Sequence, residues 1–267
     1  MQMRAGIYRV LRIALVAGVA WLGYQWLAPM GLGWVVLALA GLAAGGWVVF
    51  RLVRIRRERA LDARADRWAE ALMSPPHRPA AIREIRGARE AARSRPEEHA
   101  RLTLVLAELL EADGDAKDAV EVLEETGTAG LAPPLRAVMR HARAVAHLSA
   151  GDPEAARRAL DEDTEPSGDR AMELRLRMMR GLIDAETGNA AAAKKAASEA
   201  REEALDDEDL RVEARVLEAV AFDAAGQRTQ AIERMNRLGD EMLEILAVLG
   251  LPRVRELATE ALASDVD

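Results

Sequence analysis

Apolar and polar positions follow two regimes along this chain. Ile13–Leu27 and Trp34–Phe50 are uncharged apolar runs, divided by "APMGLG", whose Pro29, Gly31 and Gly33 mark a turn. From about residue 57 onward, apolar positions recur three and four apart with charges between them, the period of an amphipathic helix. Four glycines punctuate this second regime: Gly114, Gly151, Gly188 and Gly226, spaced 37, 37 and 38 residues apart. Seven residues before each stands a small residue, Ala107, Ala144, Gly181 or Ala219. Five residues after each stands an alanine, Ala119, Ala156, Ala193 or Ala231. The pattern predicts pairs of antiparallel helices that approach closely where facing side chains are small. The glycine ends the first helix in a left-handed cap, and Asp115, Asp152 or Asn189 follows it as the N-cap of the second.

A period of this length signals a solenoid of helix pairs. Pro96–Ala112 is expected to pair with Ala116–Glu125, Pro134–Ala150 with Pro153–Glu162, Arg170–Thr187 with Ala190–Glu203, and Asp207–Ala225 with Thr229–Leu238. A degenerate pair, Glu58–Met73 and Ala80–Arg93, precedes them, and Glu241–Leu249 with Arg253–Ala263 closes the array. The expected fold is all-α: a two-helix transmembrane hairpin with basic flanks over 1–56, a connector pair over 57–96, four repeats over 97–240 and capping helices over 241–267.

The hairpin reading rests on length and charge. A spanning helix needs about 20 residues. The first run reaches that length with Ile7–Arg12 included, and the second by running on to Val53. Arg4, Arg9 and Arg12 precede the hairpin, and Arg51, Arg54, Arg56, Arg57 and Arg59 follow it, whereas the turn is uncharged. The positive-inside rule then puts both ends in the cytoplasm, with the hairpin in a bacterial inner membrane. A cleaved signal peptide in the first run is the competing reading, but a second apolar run so soon afterwards is atypical of a secreted N-terminus. Gly41 and Gly45, four apart, have the small-residue spacing of close membrane-helix contacts. That face serves either the packing of the two hairpin helices on each other or a homodimer.

The small residue, the Gly-Asp-like turn and the alanine, in register in four units, resemble the tetratricopeptide repeat family over residues 97–240. The period exceeds the usual 34 of that family, and the family's aromatic positions are mostly Leu, Ala or His here. A membrane hairpin joined to such an array is similar in layout to HemY-type membrane-anchored tetratricopeptide proteins. The resemblance implies partner binding on a concave face lined by the first helices. By register the inward positions are Leu104, Glu108, His141, Val145, Met178, Leu182, Val216 and Val220. No Lys or Asn stands among them, so the family's clamp for a peptide carboxylate does not carry over. An apolar groove for a hydrophobic segment is expected instead, filled by another protein or by the closing pair.

Composition narrows the chemistry. Cysteine is absent, which excludes disulfides, zinc ribbons and thiol catalysis. Residues 102–267 hold 36 acidic and 20 basic residues, which disfavours nucleic acid as a partner. There is no Gly-rich phosphate loop and no supported Ser/His/Asp arrangement. His141 and His147 are six apart, a poor spacing for a metal. "EALDDED", Glu203–Asp209, lacks the glycine of a calcium loop. The expectation is a scaffold or adaptor, not an enzyme, with no cofactor, acting on other proteins at a lipid bilayer. The alternative is a structural subunit of a membrane complex that contacts partners mainly through the hairpin. The topology is directly testable: a reporter active only outside the cytoplasm, fused after Asp267, should be silent, and strong activity would overturn the orientation.

Overall fold

The computed structural model describes residues 67–162, 165–204 and 206–264. The expected hairpin, with Gly41 and Gly45, lies outside the described residues, as does the first part of the connector pair. Among the described residues no helix is long and apolar enough to cross a membrane.

Helices joined by turns and short connectors make up the described residues, with no strand among them. After a helical stretch at 67–73 and a 3₁₀ turn at Pro75–His77 come α1 (Arg78–Ala91), α2 (Pro96–Asp113) and α3 (Ala116–Glu124). They are followed by α4 (Pro133–Ser149), α5 (Pro153–Asp161), α6 (Arg170–Glu186) and α7 (Ala190–Glu203). The chain continues through α8 (Glu208–Ala224), α9 (Arg228–Asn236), α10 (Asp240–Leu249) and α11 (Pro252–Ser264). From α1 onward, every end falls within two residues of its position expected from periodicity. The pairs α2/α3, α4/α5, α6/α7 and α8/α9 are joined at the four glycines, and consecutive first helices α2, α4, α6 and α8 also touch.

The four reversals share one geometry. Gly114, Gly151, Gly188 and Gly226 have φ of 94°, 81°, 81° and 73°. The amide after each glycine donates to the carbonyl five residues back: Asp115 to Leu110, Asp152 to His147, Asn189 to Asp184 and Gln227 to Phe222, at 2.8, 2.9, 2.7 and 3.0 Å. The glycine amides bond to Glu111, Leu148, Ala185 and Asp223 at 3.1, 3.0, 3.2 and 2.8 Å. This is the Schellman pair of hydrogen bonds, which satisfies carbonyls left free at a helix end and needs the left-handed residue. N-capping follows at Asp152, which accepts from the Ala155 amide at 2.8 Å, and at Asn189, which accepts from Ala192 at 3.3 Å. Asp115 makes no such side-chain bond. Its helix starts without that help.

The seam is built as its spacing implies. Ala107, Ala119, Ala144, Ala156, Ala193, Ala219 and Ala231 are all essentially inaccessible. At Gly181 the approach is close enough that a β-carbon would sit 2.9 Å from Ala196 Cβ and 3.1 Å from a Leu217 methyl. Larger side chains fill the space beside these contacts, among them Leu106, Leu110, Met139, Leu160, Ile183, Leu217 and Met235.

Between pairs, buried arginines close the helix ends. Arg143 sends Nη2 to the Thr126 carbonyl at 2.8 Å and Nε to the Leu123 carbonyl at 3.3 Å, at the C-terminus of α3. Arg78 donates to the Leu72 carbonyl through Nη2 at 2.7 Å and through Nη1 to Ala112, at the last turn of α2. A third arginine, Arg89, reaches the Thr103 hydroxyl at 3.0 Å, which itself meets the Thr126 hydroxyl at 3.0 Å. Each fork supplies several donors to orphan carbonyls or hydroxyls that burial would otherwise leave unsatisfied.

The seam makes a sharp prediction. Ala156 is wholly buried, so Ala156→Leu should destabilise the array by about 1–3 kcal/mol through overpacking. Arg158→Leu on the exposed side of the same helix should stay within about 0.5 kcal/mol. Denaturant titrations followed by circular dichroism would separate the two, and an unshifted midpoint for Ala156→Leu would mean that the seam is not close-packed.

Candidate interaction surfaces

The eight positions expected to line the groove fall into different environments. Met178, Val216 and Val220 are 3%, 8% and 1% exposed. Leu104, His141, Val145 and Leu182 are half-buried, and Glu108 is exposed. Met178 belongs to the seam of α6, α7 and α8, with Leu174, Ala197 and Leu217. Leu104 packs on the N-terminal cluster around Leu106 and Met139. Val145 and Leu182 each pack against the cluster of Leu176, Met179 and Ile183. Val216 and Val220 lie in the C-terminal cluster with Met235, Leu243 and Leu257. The eight therefore do not form one open strip.

The covering comes from the chain itself. Leu243 of α10 and Leu257 of α11 are fully buried in the cluster that holds Val216 and Val220, and Leu246 packs against it. Leu251, between the two helices, packs on the cluster that holds Val145 and Leu182. Arg253 fixes this arrangement: Nη1 donates to the Ala185 carbonyl at 3.3 Å, and Nε lies 3.4 Å from Glu186 and 3.6 Å from Asp223. α10 also reaches α2, the first helix of the first repeat. A tethered apolar segment wins this surface by its high local concentration.

Titratable groups gather at the same closure. Glu111 of α2 accepts the Ser149 hydroxyl at 3.1 Å. Burial pushes its carboxyl up to about 7; the Ser149 bond lowers it, the neighbouring Glu108 charge raises it and Arg255 of α11 lowers it. Glu108 keeps an exposed flank, yet the protein around it still raises its carboxyl above the usual range. Burial, assisted by the Arg175 charge, drives His141 down to about 4, so its imidazole is neutral at physiological pH. Arg175 itself grips both oxygens of Glu213 at 2.9 and 3.2 Å. His147 points elsewhere, 3.3 Å from Glu124. Among the described residues no group of three His, Asp or Glu is arranged to hold a metal.

A second surface escaped the sequence reading. A cavity of about 440 Å³ opens between α7, α8 and α9, lined by Arg201, Arg211, Arg215, Glu218, Arg234 and Arg237. A smaller hollow of about 270 Å³ adjoins it beside Lys194, Ser198 and Phe222. Arg211, Arg215, Glu218 and Phe222 follow helical spacing and form one stripe of α8. Glu218 lies 3.5 Å from Arg201 and 3.4 Å from Arg234. Lys194 and Arg234 stand 4.5 and 4.4 Å from the Phe222 ring centroid. The readable signal was Arg211 and Arg215, like charges four apart on one helix, which repel.

No family model, curated protein or solved structure matches this chain.

Glu111 gives a pH prediction. Its folded pKa lies above that of an unfolded glutamate, so the unfolded chain ionises first as pH rises. Stability is then lost from about pH 4.5 up to about pH 7 and is level above that. Glu111→Gln should flatten that slope and be more stable than the parent above pH 7, on the order of 1–2 kcal/mol. Melts of both proteins from pH 4 to 8 would check it; parallel curves would mean that Glu111 is solvated.

Proposed function

We propose that the chain is a membrane-anchored scaffold whose tetratricopeptide-like helical array binds other proteins on the cytoplasmic side of a bacterial inner membrane. The observation that carries this reading is the array itself: helix pairs joined by one turn geometry at a near-constant period, an architecture that presents extended surfaces. The two apolar runs and the arginines flanking them support the anchor. The resemblance to tetratricopeptide repeats and the HemY-like layout belong to this proposal.

One observation favours the alternative, a structural subunit that contacts its partners through the hairpin. Met178, Val216 and Val220 are already covered within the chain, which leaves less apolar groove for a partner. The two readings separate on truncation. Protein isolated in mild detergent would be compared with a version beginning at Arg57, both expressed in the native host. We expect specific partners to remain with the shortened protein. Loss of every partner, with helicity retained, would overturn the scaffold reading in favour of the hairpin.

A further inference from the structure

The arginine-lined cavity breaks a rule that the rest of the array obeys. Eleven residues past the turn glycine stand Glu125, Glu162 and Glu199 in the first three pairs, and Arg237 in the fourth. In the earlier pairs, cations of the first helices are answered by acids near the ends of the second helices. Arg143 meets Glu162 at 3.2 Å, Arg177 meets Glu203 at 2.6 Å and Arg180 meets Asp161 at 3.3 Å. Arg215 holds the register of Arg177, eleven residues before its glycine. The flanking second helices there supply Arg201, Arg234 and Arg237 instead of acids.

Five guanidinium groups thus share one cavity with a single carboxylate, within an array that is otherwise strongly acidic. Glu218 is occupied by Arg201 and Arg234. Arg211, Arg215 and Arg237 meet no carboxylate among the described residues. The Nε of Arg234 is buried and, despite its closeness to Glu218, has no hydrogen-bond partner there. Like charges held together destabilise a fold and focus a positive potential.

We propose that the cavity between α7, α8 and α9 is a binding site for a compact oxyanion of the diphosphate type. The chemistry is that of planar guanidinium forks, which pair with phosphate oxygens two at a time. One carboxylate would leave most of the excess charge unanswered, whereas a diphosphate answers several arginines at once. The volume lies within the ordinary range for small-ligand pockets. The hollow at Phe222 has room for a group carried by the anion, so a free diphosphate and a diphosphate ester share the same determinants.

Calorimetric titration of the full-length protein in mild detergent tests this, with pyrophosphate, ADP and sulfate as probes. Pyrophosphate should bind saturably at one site and at least about tenfold more tightly than sulfate, the equivalent of one good charge-assisted contact. ADP binding more tightly than pyrophosphate would identify an ester as the fitting form, and the reverse would identify the free anion. Arg211→Gln with Arg215→Gln should weaken pyrophosphate at least about tenfold. Arg237→Glu restores the acid of the other three pairs; it should abolish binding, preserve helicity and raise the melting temperature in anion-free buffer. No saturable binding at millimolar pyrophosphate, equal affinity for sulfate, or binding unchanged in Arg237→Glu would each overturn the proposal.

Discussion

Each reversal of the array hangs on two backbone hydrogen bonds closed around a left-handed glycine. These bonds fix where the first helix stops, and so which residues of the second helix face it. With the stop fixed, the small residue seven before and the alanine five after both fall in the buried seam, and the helices pack at the distance that small side chains allow. A β-carbon at the glycine would be strained in that backbone region. The same two bonds set the register of everything further out, because consecutive pairs stack in phase only while the period holds at 37 or 38 residues. The ladder of ion pairs between Arg143, Arg177, Arg180 and the neighbouring acids is a product of that phase.

The basic residues are 34 arginines and three lysines, and the structure gives that bias a use. Arg78, Arg143 and Arg253 each span two segments by placing planar forks on carbonyls at helix ends. A lysine ammonium would deliver one point charge where the fork delivers several directed donors. An aromatic-poor core of alanine and leucine supplies modest area per contact, so these forks complement it by satisfying backbone groups that the connectors leave free. The cost of burying a guanidinium is offset by the number of bonds each makes.

Much of the fold was legible because its signals are local. Helical periodicity, the turn glycine and the flanking small residues lie within a few turns of one another, and α1 to α11 fall where they point. The Asp115 cap was misjudged, since a side chain that could cap need not rotate to do so. The groove was only partly legible. Register pointed to aliphatic residues at Met178, Val216 and Val220, but Met178 is buried by Leu174, Ala197 and Leu217 of its own neighbourhood, and Val216 and Val220 are covered by Leu243 and Leu257 from further along the chain, and no periodicity carries that information. The arginine cavity left one local trace, Arg211 and Arg215 four apart on a single helix; its other arginines come from α7 and the end of α9, which no local pattern brings together. Gly41 and Gly45 lie outside the described residues.

The return of the last two helices onto the first repeat changes how the array behaves as a material. An open stack of repeats is held by nearest neighbours alone, so it frays from its ends and its folding depends mostly on short-range contacts. Here α10 touches α2, and Arg255 lends its charge to Glu111 across more than a hundred residues of chain. Those contacts tie the two ends of the stack together. Fraying at the C-terminal end must break this closure, so the last helices are held to the first repeat as well as to their neighbours. The same closure lengthens the loops that must form before the native state is reached, which slows folding while making the finished array resist local opening.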